Sequence, residues 1–191
     1  MERIGLFGGS FDPVHLGHLL VAQAACEELG LKRVCFVPAA QSPFKPENHP
    51  ASGNLRLRLL RLALAGCAAY EVDDQEIRRG GTSYTIETVR NYVTRFPSAQ
   101  FFYLIGADHV AQLPKWRDAA ELARLVDFAV IPRPGSPAAS EQPPFRLHRL
   151  RGFSLGVSSS EIRERVRAGL PICSLVPAAV AEAIRQSKLY L

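Results

Sequence analysis

The strongest constraint on the fold is the alternation of short β-rich runs with longer runs that have helical spacing. The short runs are rich in Val, Ile, Phe and Tyr, and the longer ones repeat apolar residues every three to four positions. This alternation is typical of βαβ units, in which a helix connects two parallel strands. The sequence therefore predicts a Rossmann-like, doubly wound α/β fold with a mostly parallel sheet and helices on both faces.

The predicted elements extend along the whole chain. Strands are expected at residues 3–8, 33–39, 68–73, 100–106 and 127–132, and helices at residues 16–31, 54–67, 83–96, 158–170 and 177–191. Gly30 is the expected C-cap of the first helix and Asn54 the expected N-cap of the second. Residues 133–144 are dense in Pro, Gly and Ser. They predict a surface loop, because too little chain follows them to build a separate core.

Composition favours one domain spanning residues 1–191, since 191 residues that are 47% hydrophobic and 21% charged can bury a core. No apolar run approaches the ~18 residues of a membrane helix, and the first residues lack the pattern of a secretory signal. The four cysteines form no CxxC pair, so no zinc or redox motif is indicated. We therefore expect a cytoplasmic protein with reduced cysteines and no membrane partner.

The net charge of +5 fits either an ordinary solvated surface or a polyanionic partner. Basic residues are concentrated at 55–61 and 146–151, but they form no Lys/Arg block and do not alternate with aromatic residues. This distribution favours a small phosphorylated ligand over nucleic acid.

Glycines and histidines are concentrated in the stretch "GLFGGSFDPVHLGH", directly after the first strand. Gly8 and Gly9 uncover backbone N–H groups that could approach a phosphate. His15 and His18 stand three residues apart at the start of the first helix, where the positive helix end favours anions and their own charge is expected to add to the field. The GxGxxG spacing of a dinucleotide fingerprint is absent.

Three interpretations of the histidine pair are open. The two residues could be ordinary core or surface histidines, metal ligands, or hydrogen-bond donors to phosphates. A metal site is disfavoured because no third ligand with zinc-like spacing accompanies them. The glycine turn immediately upstream favours the phosphate interpretation.

Two motifs more than a hundred residues apart carry a resemblance to a known superfamily. The segment "GGSFDPVHLGH" resembles the T/HxGH signature of nucleotidylyltransferases, and "VSSSEIRERV" resembles their ISSTxIR motif. Within that superfamily, "RGGTSYTIET", "YLIGADH" and "LPKWRD" are similar to bacterial nicotinate-mononucleotide adenylyltransferases. The resemblance implies a Rossmann-like fold and adenylyl transfer from ATP to nicotinate mononucleotide, giving deamido-NAD and pyrophosphate.

The reaction implied by this resemblance needs no enzyme nucleophile, because the mononucleotide phosphate itself attacks the α-phosphorus of ATP. The implied catalytic residues are His15, His18, Lys45 and Arg163. The implied ATP-binding residues are Gly8, Gly9, Ser10, Ile105, Gly106, Asp108, Ser158 and Ser159. The implied mononucleotide-binding residues are Ser83, Tyr84, Thr85, Trp116 and Arg117. No side chain is assigned as a metal ligand, and Mg²⁺ is expected to bind mainly through the ATP phosphates.

Several of these residues also have purely structural interpretations. Helix capping alone could explain Ser158 and Asp108. Arg56 resembles an arginine near the start of the corresponding family helix, and a solvated helix face explains it equally well. Trp116 could be a core or surface residue, and Phe44 stands where many relatives carry a histidine.

Two other functions compete with nicotinate-mononucleotide adenylyl transfer. Phosphopantetheine adenylyltransferases share both end motifs but lack, as a family, the "SYT" and "KW" features. A non-catalytic nucleotide-binding or RNA-binding module would use the basic surface instead. The choice between nicotinate and nicotinamide, and the association of identical copies into a homo-oligomer, are left open by the sequence.

Overall fold

The computed structural model describes residues 1–43, 50–132, 140–153 and 155–191. Its centre is a six-stranded sheet in which all strand pairs are parallel. The strands are β1 (Arg3–Gly9), β2 (Arg33–Pro38), β3 (Tyr70–Val72), β4 (Gln100–Gly106), β5 (Asp127–Ile131) and β6 (Leu147–Arg149). Their order is β3-β2-β1-β4-β5-β6, which is that of dinucleotide-binding Rossmann sheets. The predicted α/β fold is confirmed.

Helices connect these strands and follow the last of them. They are α1 (Leu16–Leu29), α2 (Gly53–Leu64), α3 (Gln75–Arg79), α4 (Thr85–Arg95), α5 (Ala119–Leu125), α6 (Ser159–Arg167) and α7 (Ala178–Gln186). A 3-10 helix, Ala107–Lys115, lies between β4 and α5. Within the described ranges, no helix combines the length and the apolar character needed to cross a bilayer.

Apolar side chains on the sheet divide between two clusters. Phe7 of β1 and Phe36 of β2 pack in one cluster with residues of α1, α2, α6 and α7. Leu6 of β1 and Val37 of β2 belong to the other, together with residues of α4 and α5. Because successive residues of a strand point to opposite faces, helices cover both faces of the sheet, as the sequence predicts.

Most element boundaries agree with the predicted ones to within three residues, but α7 ends at Gln186 and not at the predicted residue 191. α1 ends at the predicted C-cap Gly30, whose φ of 60° suits glycine. Asn54 is not the N-cap of α2, because the helix begins one residue earlier and is preceded by Ser52. Ser158 caps α6, and its Oγ accepts a hydrogen bond from the N–H of Glu161 at 3.2 Å. Residues 140–144 of the predicted loop contain no helix or strand, and 133–139 lie outside the described residues.

The sequence did not predict α3, the 3-10 helix, α5 or β6. α3 has five residues, α5 has seven and β6 has three, so none of them is long enough for an apolar period to be visible. The strand β6 exists because its backbone pairs with β5, with Phe128 opposite Leu147. Such a pairing depends on a distant strand rather than on the local residues.

The topology places a crevice between β1 and β4, which are neighbours at the centre of the sheet. The chain leaves β1 toward α1 on one face and leaves β4 toward α5 on the other. In open α/β sheets, ligands bind at such a switch point, outside the carboxyl ends of the strands. Most of the predicted site residues follow these two strands or lie close to them.

Candidate active site

The loop between β1 and α1, residues 10–14, is held from the side of α2 by a buried arginine. Arg56 is 2% exposed. Its guanidinium donates from Nη1 to the carbonyl of Ser10 at 2.7 Å and from Nε to the carbonyl of Ala51 at 2.8 Å. A solvated face is therefore the wrong interpretation of Arg56, which instead fixes the start of the loop.

α6 contacts the same loop from another side. Arg163 donates from Nη1 to the carbonyl of Asp12 at 2.7 Å, and Ser159 donates from Oγ to the carbonyl of Pro13 at 2.9 Å. These partners are 151 and 146 positions apart in the chain. The predicted residues of the two end motifs are thus brought together around one loop.

The two histidines form the N-terminal turn of α1. Nδ1 of His18 accepts a hydrogen bond from the backbone N–H of His15 at 3.1 Å. The proton of a neutral His18 ring therefore lies on Nε2. The ring centroids of the pair are 3.7 Å apart. Nδ1 of His15 is buried and makes no close hydrogen bond among the described residues, although the His15 side chain faces the backbone N–H of His18.

Burial keeps both imidazoles neutral in the free protein. It lowers the pKa of His15 to about 4. It also lowers the pKa of His18 well below its usual value, and the neighbouring His15 lowers it further. The prediction that this pair carries a positive charge is therefore wrong for the free protein. The two rings offer neutral N–H donors at the positive end of a helix.

Gly8 and Gly9, predicted to bind phosphate, allow close approach of neighbouring side chains. A Cβ at Gly8 would lie 2.2 Å from the hydroxyl of Tyr103, and one at Gly9 would lie 3.1 Å from the ring of Phe11. Neither glycine has a positive φ. At both positions, the absence of a side chain matters more than an unusual backbone conformation.

Four of the predicted mononucleotide-binding residues gather where α4 begins and the 3-10 helix ends. The guanidinium carbon of Arg117 lies 4.5 Å from the ring centroid of Tyr84. Oγ1 of Thr85 donates to the hydroxyl of Tyr103 at 3.3 Å. Trp116 meets the same Tyr103 ring edge-on, with centroids 6.0 Å apart. Thr85 and Trp116 thus meet at Tyr103, beside Gly8, while Tyr84 and Arg117 contact each other.

The fifth predicted mononucleotide-binding residue, Ser83, is 7% exposed. Its Oγ accepts a hydrogen bond from the N–H of Ala40 at 2.9 Å, and its own N–H donates to the carbonyl of Gln41 at 2.9 Å. These contacts join the approach to α4 to the segment after β2. The structure thus gives Ser83 a positioning role.

The predicted ATP-binding residues at the end of β4 and just after it differ in accessibility. The side chain of Ile105 is 4% exposed and belongs to the core, so only its backbone could face a ligand. Gly106, and not Asp108, is the N-cap of the 3-10 helix. Asp108 is exposed in the first turn of that helix. Lys45 lies outside the described residues.

Sequence reasoning missed Asp12, which is the most connected acidic group of the site. Asp12 is 4% exposed, and its Oδ1 accepts hydrogen bonds from the hydroxyl of Tyr190 at 2.7 Å and from the N–H of Ala51 at 3.2 Å. Its position inside the "SFDPVH" segment was a visible signal, because a carboxylate between Phe and Pro in such a loop needs a partner. Nothing in the local sequence pointed to Tyr190.

The fold and the site together define a nucleotide-binding α/β protein, with imidazoles, an arginine and two helix N-termini gathered at a Rossmann switch point. The cytidylyltransferase-like family model matches residues 6–165. Curated relatives extend the match to almost the full chain. The chain belongs to the cytidylyltransferase-like family and, within it, to the nicotinate-nucleotide adenylyltransferases.

Two of these relatives illustrate the similarity. A protein of Opitutus terrae is 46% identical over 190 residues, which cover 98% of this chain and 97% of that protein. A protein of Shouchella clausii is 45% identical over 190 residues, which cover 100% of this chain and 97% of that protein. Both are described as probable nicotinate-nucleotide adenylyltransferases. The family resemblance indicated by the sequence motifs is confirmed.

Solved structures show the same fold at low sequence identity. The Plasmodium falciparum nicotinic acid mononucleotide adenylyltransferase complexed with NaAD has a TM-score of 0.80 and 17% identity, and the match covers 100% of this chain and 98% of that one. A putative nicotinate-nucleotide adenylyltransferase from Vibrio parahaemolyticus has a TM-score of 0.69 and 19% identity, with 100% and 96% covered.

Replacement of the buried arginine tests its role in the loop. We expect Arg56→Met to lower the free energy of unfolding by about 2–4 kcal/mol, because the carbonyls of Ser10 and Ala51 lose their donor. Arg58→Met, at an exposed position of the same helix, is the matched control and should change it by less than about 0.5 kcal/mol. Urea unfolding followed by circular dichroism measures both. Equal midpoints for the two variants would contradict the assignment.

The neutral histidines predict a pH-dependent stability. Because the pKa of His15 falls from 6.5 to about 4 on folding, the unfolded chain binds more protons between these values, and stability is lost as the pH falls. For His15 alone, the loss from neutral pH to about pH 5 is about 2 kcal/mol. Urea unfolding at both pH values should show this difference in the wild type and in the control His109→Asn. His15→Asn should show a smaller one, and an unchanged pH dependence in that variant would contradict the burial argument.

Proposed function

We propose that this chain transfers the adenylyl group of ATP to nicotinate mononucleotide, releasing pyrophosphate and forming deamido-NAD. The observation that carries the proposal is the meeting of α1 and α6 at the β1–α1 loop, where Arg163 and Ser159 contact the segment that leads into His15 and His18. Relatives that match almost the full chain and are named as nicotinate-nucleotide adenylyltransferases support it.

The reaction needs two anions to be aligned and a leaving anion to be stabilised. A phosphate oxygen of the mononucleotide forms a bond to the α-phosphorus of ATP while the bond from that phosphorus to the bridging oxygen of the β-phosphate breaks. The electron pair leaves with the pyrophosphate. We assign stabilisation of this charge to N–H donors fixed before the reaction, since such donors need no reorganisation in the transition state.

His18 is the donor whose geometry is best defined. Its Nδ1 is occupied by the backbone N–H of His15, so its Nε2–H is the atom left for a phosphate oxygen. Arg163 supplies the permanent positive charge, and the N-terminus of α6 supplies further backbone N–H groups. The proposed phosphate-binding set also includes Gly8, Gly9, Ser10, Ser158 and Lys45.

The mononucleotide is assigned to the residues around Tyr103, beside Gly8. An indole is a good stacking surface for a planar pyridinium ring, which fits Trp116. The N-terminus of α4 at Thr85 offers backbone N–H groups to a carboxylate, and Arg117 lies close by, paired with Glu87 at 3.2 Å. We assign the preference for nicotinate over the uncharged amide of nicotinamide to these backbone N–H groups.

Magnesium is proposed to enter with ATP as part of the substrate. Among the described residues, no group of three or more His, Cys, Asp and Glu side chains could hold a metal ion. The buried carboxylate of Asp12 already accepts hydrogen bonds from Tyr190 and Ala51. The donor set therefore does not suit a protein-held magnesium, whereas triphosphate oxygens are ligands that this ion prefers.

Burial and ion pairing of several arginines in the two basic runs, 55–61 and 146–151, disfavour the competing nucleic-acid function. Arg56 of the first run is buried, and Arg146 and Arg149 of the second run are paired with Asp127 and Glu141. Arg58 and Arg151 are exposed, so each run offers only part of its basic residues to a polyanion. All four cysteines are free thiols, which suits the proposed cytoplasmic location.

We also propose that residues 1–191 form a single domain.

Replacement of His18 tests the proposed donor. We expect His18→Ala to lower kcat by about 100-fold or more, in line with the loss of one preorganised donor. His18→Gln, which keeps a neutral N–H donor on a longer side chain, should retain more activity than the alanine variant. His148→Ala, on the edge strand β6, serves as the control. Equal kcat values for His18→Ala and the wild type would contradict the assignment.

The acceptor is identified in the same assay. Wild-type protein is incubated with Mg²⁺, ATP and one of three acceptors: nicotinate mononucleotide, nicotinamide mononucleotide or phosphopantetheine. Chromatography should show deamido-NAD as the product formed with the highest kcat/KM. Equal turnover of the amide would contradict the proposed acceptor, and turnover of phosphopantetheine alone would favour the rival transferase.

A further inference from the structure

We infer that Tyr190, one residue before the end of the chain, keeps Arg163 available for the triphosphate by holding the carboxylate of Asp12 away from it. The inference rests on the proposed function, because it assigns a positioning role toward ATP. Tyr190 lies outside both end motifs and 178 positions from Asp12.

The carboxylate of Asp12 is fixed through one of its two oxygens. Oδ1 accepts the hydroxyl proton of Tyr190 at 2.7 Å and the N–H of Ala51 at 3.2 Å. Oδ2 lies 3.8 Å from Nη1 of Arg163, which is beyond hydrogen-bond distance. The same Nη1 donates instead to the backbone carbonyl of Asp12 at 2.7 Å. The arginine is therefore tethered to the loop without being paired in a direct hydrogen bond to the carboxylate.

The alternative arrangement is close and would compete with a phosphate. An arginine and a carboxylate tend to form two parallel, charge-assisted hydrogen bonds. The side chains of Asp12 and Arg163 are 6% and 19% exposed, so their attraction is poorly screened. Without the hydroxyl of Tyr190, a rotation of the Asp12 side chain could bring Oδ2 onto the guanidinium. An Arg163 held in this way would have fewer N–H groups and less effective charge for ATP.

The residues that follow α7 place the hydroxyl of Tyr190 beside Asp12. After α7, Lys188 and Tyr190 have φ values of 49° and 70°, in the left-handed region that such residues rarely adopt. The N–H of Leu189 donates to the carbonyl of Ile184 at 3.1 Å and so closes the helix end. Leu189 and Tyr190 both pack against the first apolar cluster. The left-handed conformation of Lys188 belongs to this Schellman-type helix end, and the packing of Leu189 and Tyr190 holds the Tyr190 ring where its hydroxyl meets Asp12.

The test compares Tyr190→Phe with a matched variant. Tyr92→Phe removes the same kind of contact, a hydroxyl that donates to Asp73 at 2.7 Å, on α4 and away from the phosphate end. Calorimetry with α,β-methylene-ATP measures affinity without turnover, and steady-state kinetics give kcat and both KM values. Thermal unfolding reports any general loss of stability.

We expect Tyr190→Phe to weaken analogue binding about three- to tenfold, because the loss of one hydrogen bond has an effect of this size. KM for ATP or kcat should change to a similar extent. KM for nicotinate mononucleotide should stay within about twofold of the wild type. Tyr92→Phe should leave all three parameters unchanged. If the two variants behave alike, or if Tyr190→Phe alters both KM values equally, the inference is wrong.

A double substitution separates positioning from loss of structure. In Asp12→Asn the side chain has no charge with which to capture Arg163, so adding Tyr190→Phe should have no further effect on analogue binding. Additive losses would contradict the mechanism. If the wild type binds the analogue but forms no deamido-NAD, the proposed function fails, whereas the binding measurements still decide the role of Tyr190.

Discussion

The hydrogen-bonding demand of one short loop organises the site. The backbone carbonyls of residues 10, 12 and 13 belong to a loop that is largely withdrawn from water, and buried carbonyls need donors. Arg56 of α2 and Arg163 and Ser159 of α6 supply them. Because these donors bind the carbonyls of the loop, the first and last quarters of the chain come together. The N-termini of α1 and α6 then lie beside the same residues.

The same burial that orders the loop also decides its electrostatics. The imidazoles of His15 and His18 are neutral in the free protein because burial lowers the pKa of each. Fixed charge near the phosphates is therefore assigned to Arg163, with partial charges from helix ends. A neutral donor with a fixed proton has an advantage in such a site, since its hydrogen bond does not depend on the protonation state of the ring over the physiological pH range.

Local pattern predicted five of the six strands and helices on both faces of the sheet, whereas the candidate site residues came from the family resemblance carried by the two end motifs. It could not distinguish Arg56 from Arg58, because both stand in the same alternation of leucine and arginine and only the packing of a distant loop buries one of them. For the same reason it missed β6 and Tyr190, whose contacts join residues far apart in the chain. The charge of the histidines was wrongly predicted because burial is not visible in the sequence.

We propose that His18 and Arg163, which are 145 positions apart in the chain, bind one triphosphate. A crystal structure of the protein with Mg²⁺ and α,β-methylene-ATP shows whether they do. We expect phosphate oxygens of one nucleotide to lie about 3 Å from Nε2 of His18 and from the guanidinium of Arg163 at the same time. A triphosphate that contacts only one of these groups, or that binds elsewhere on the sheet, would rule out a shared site.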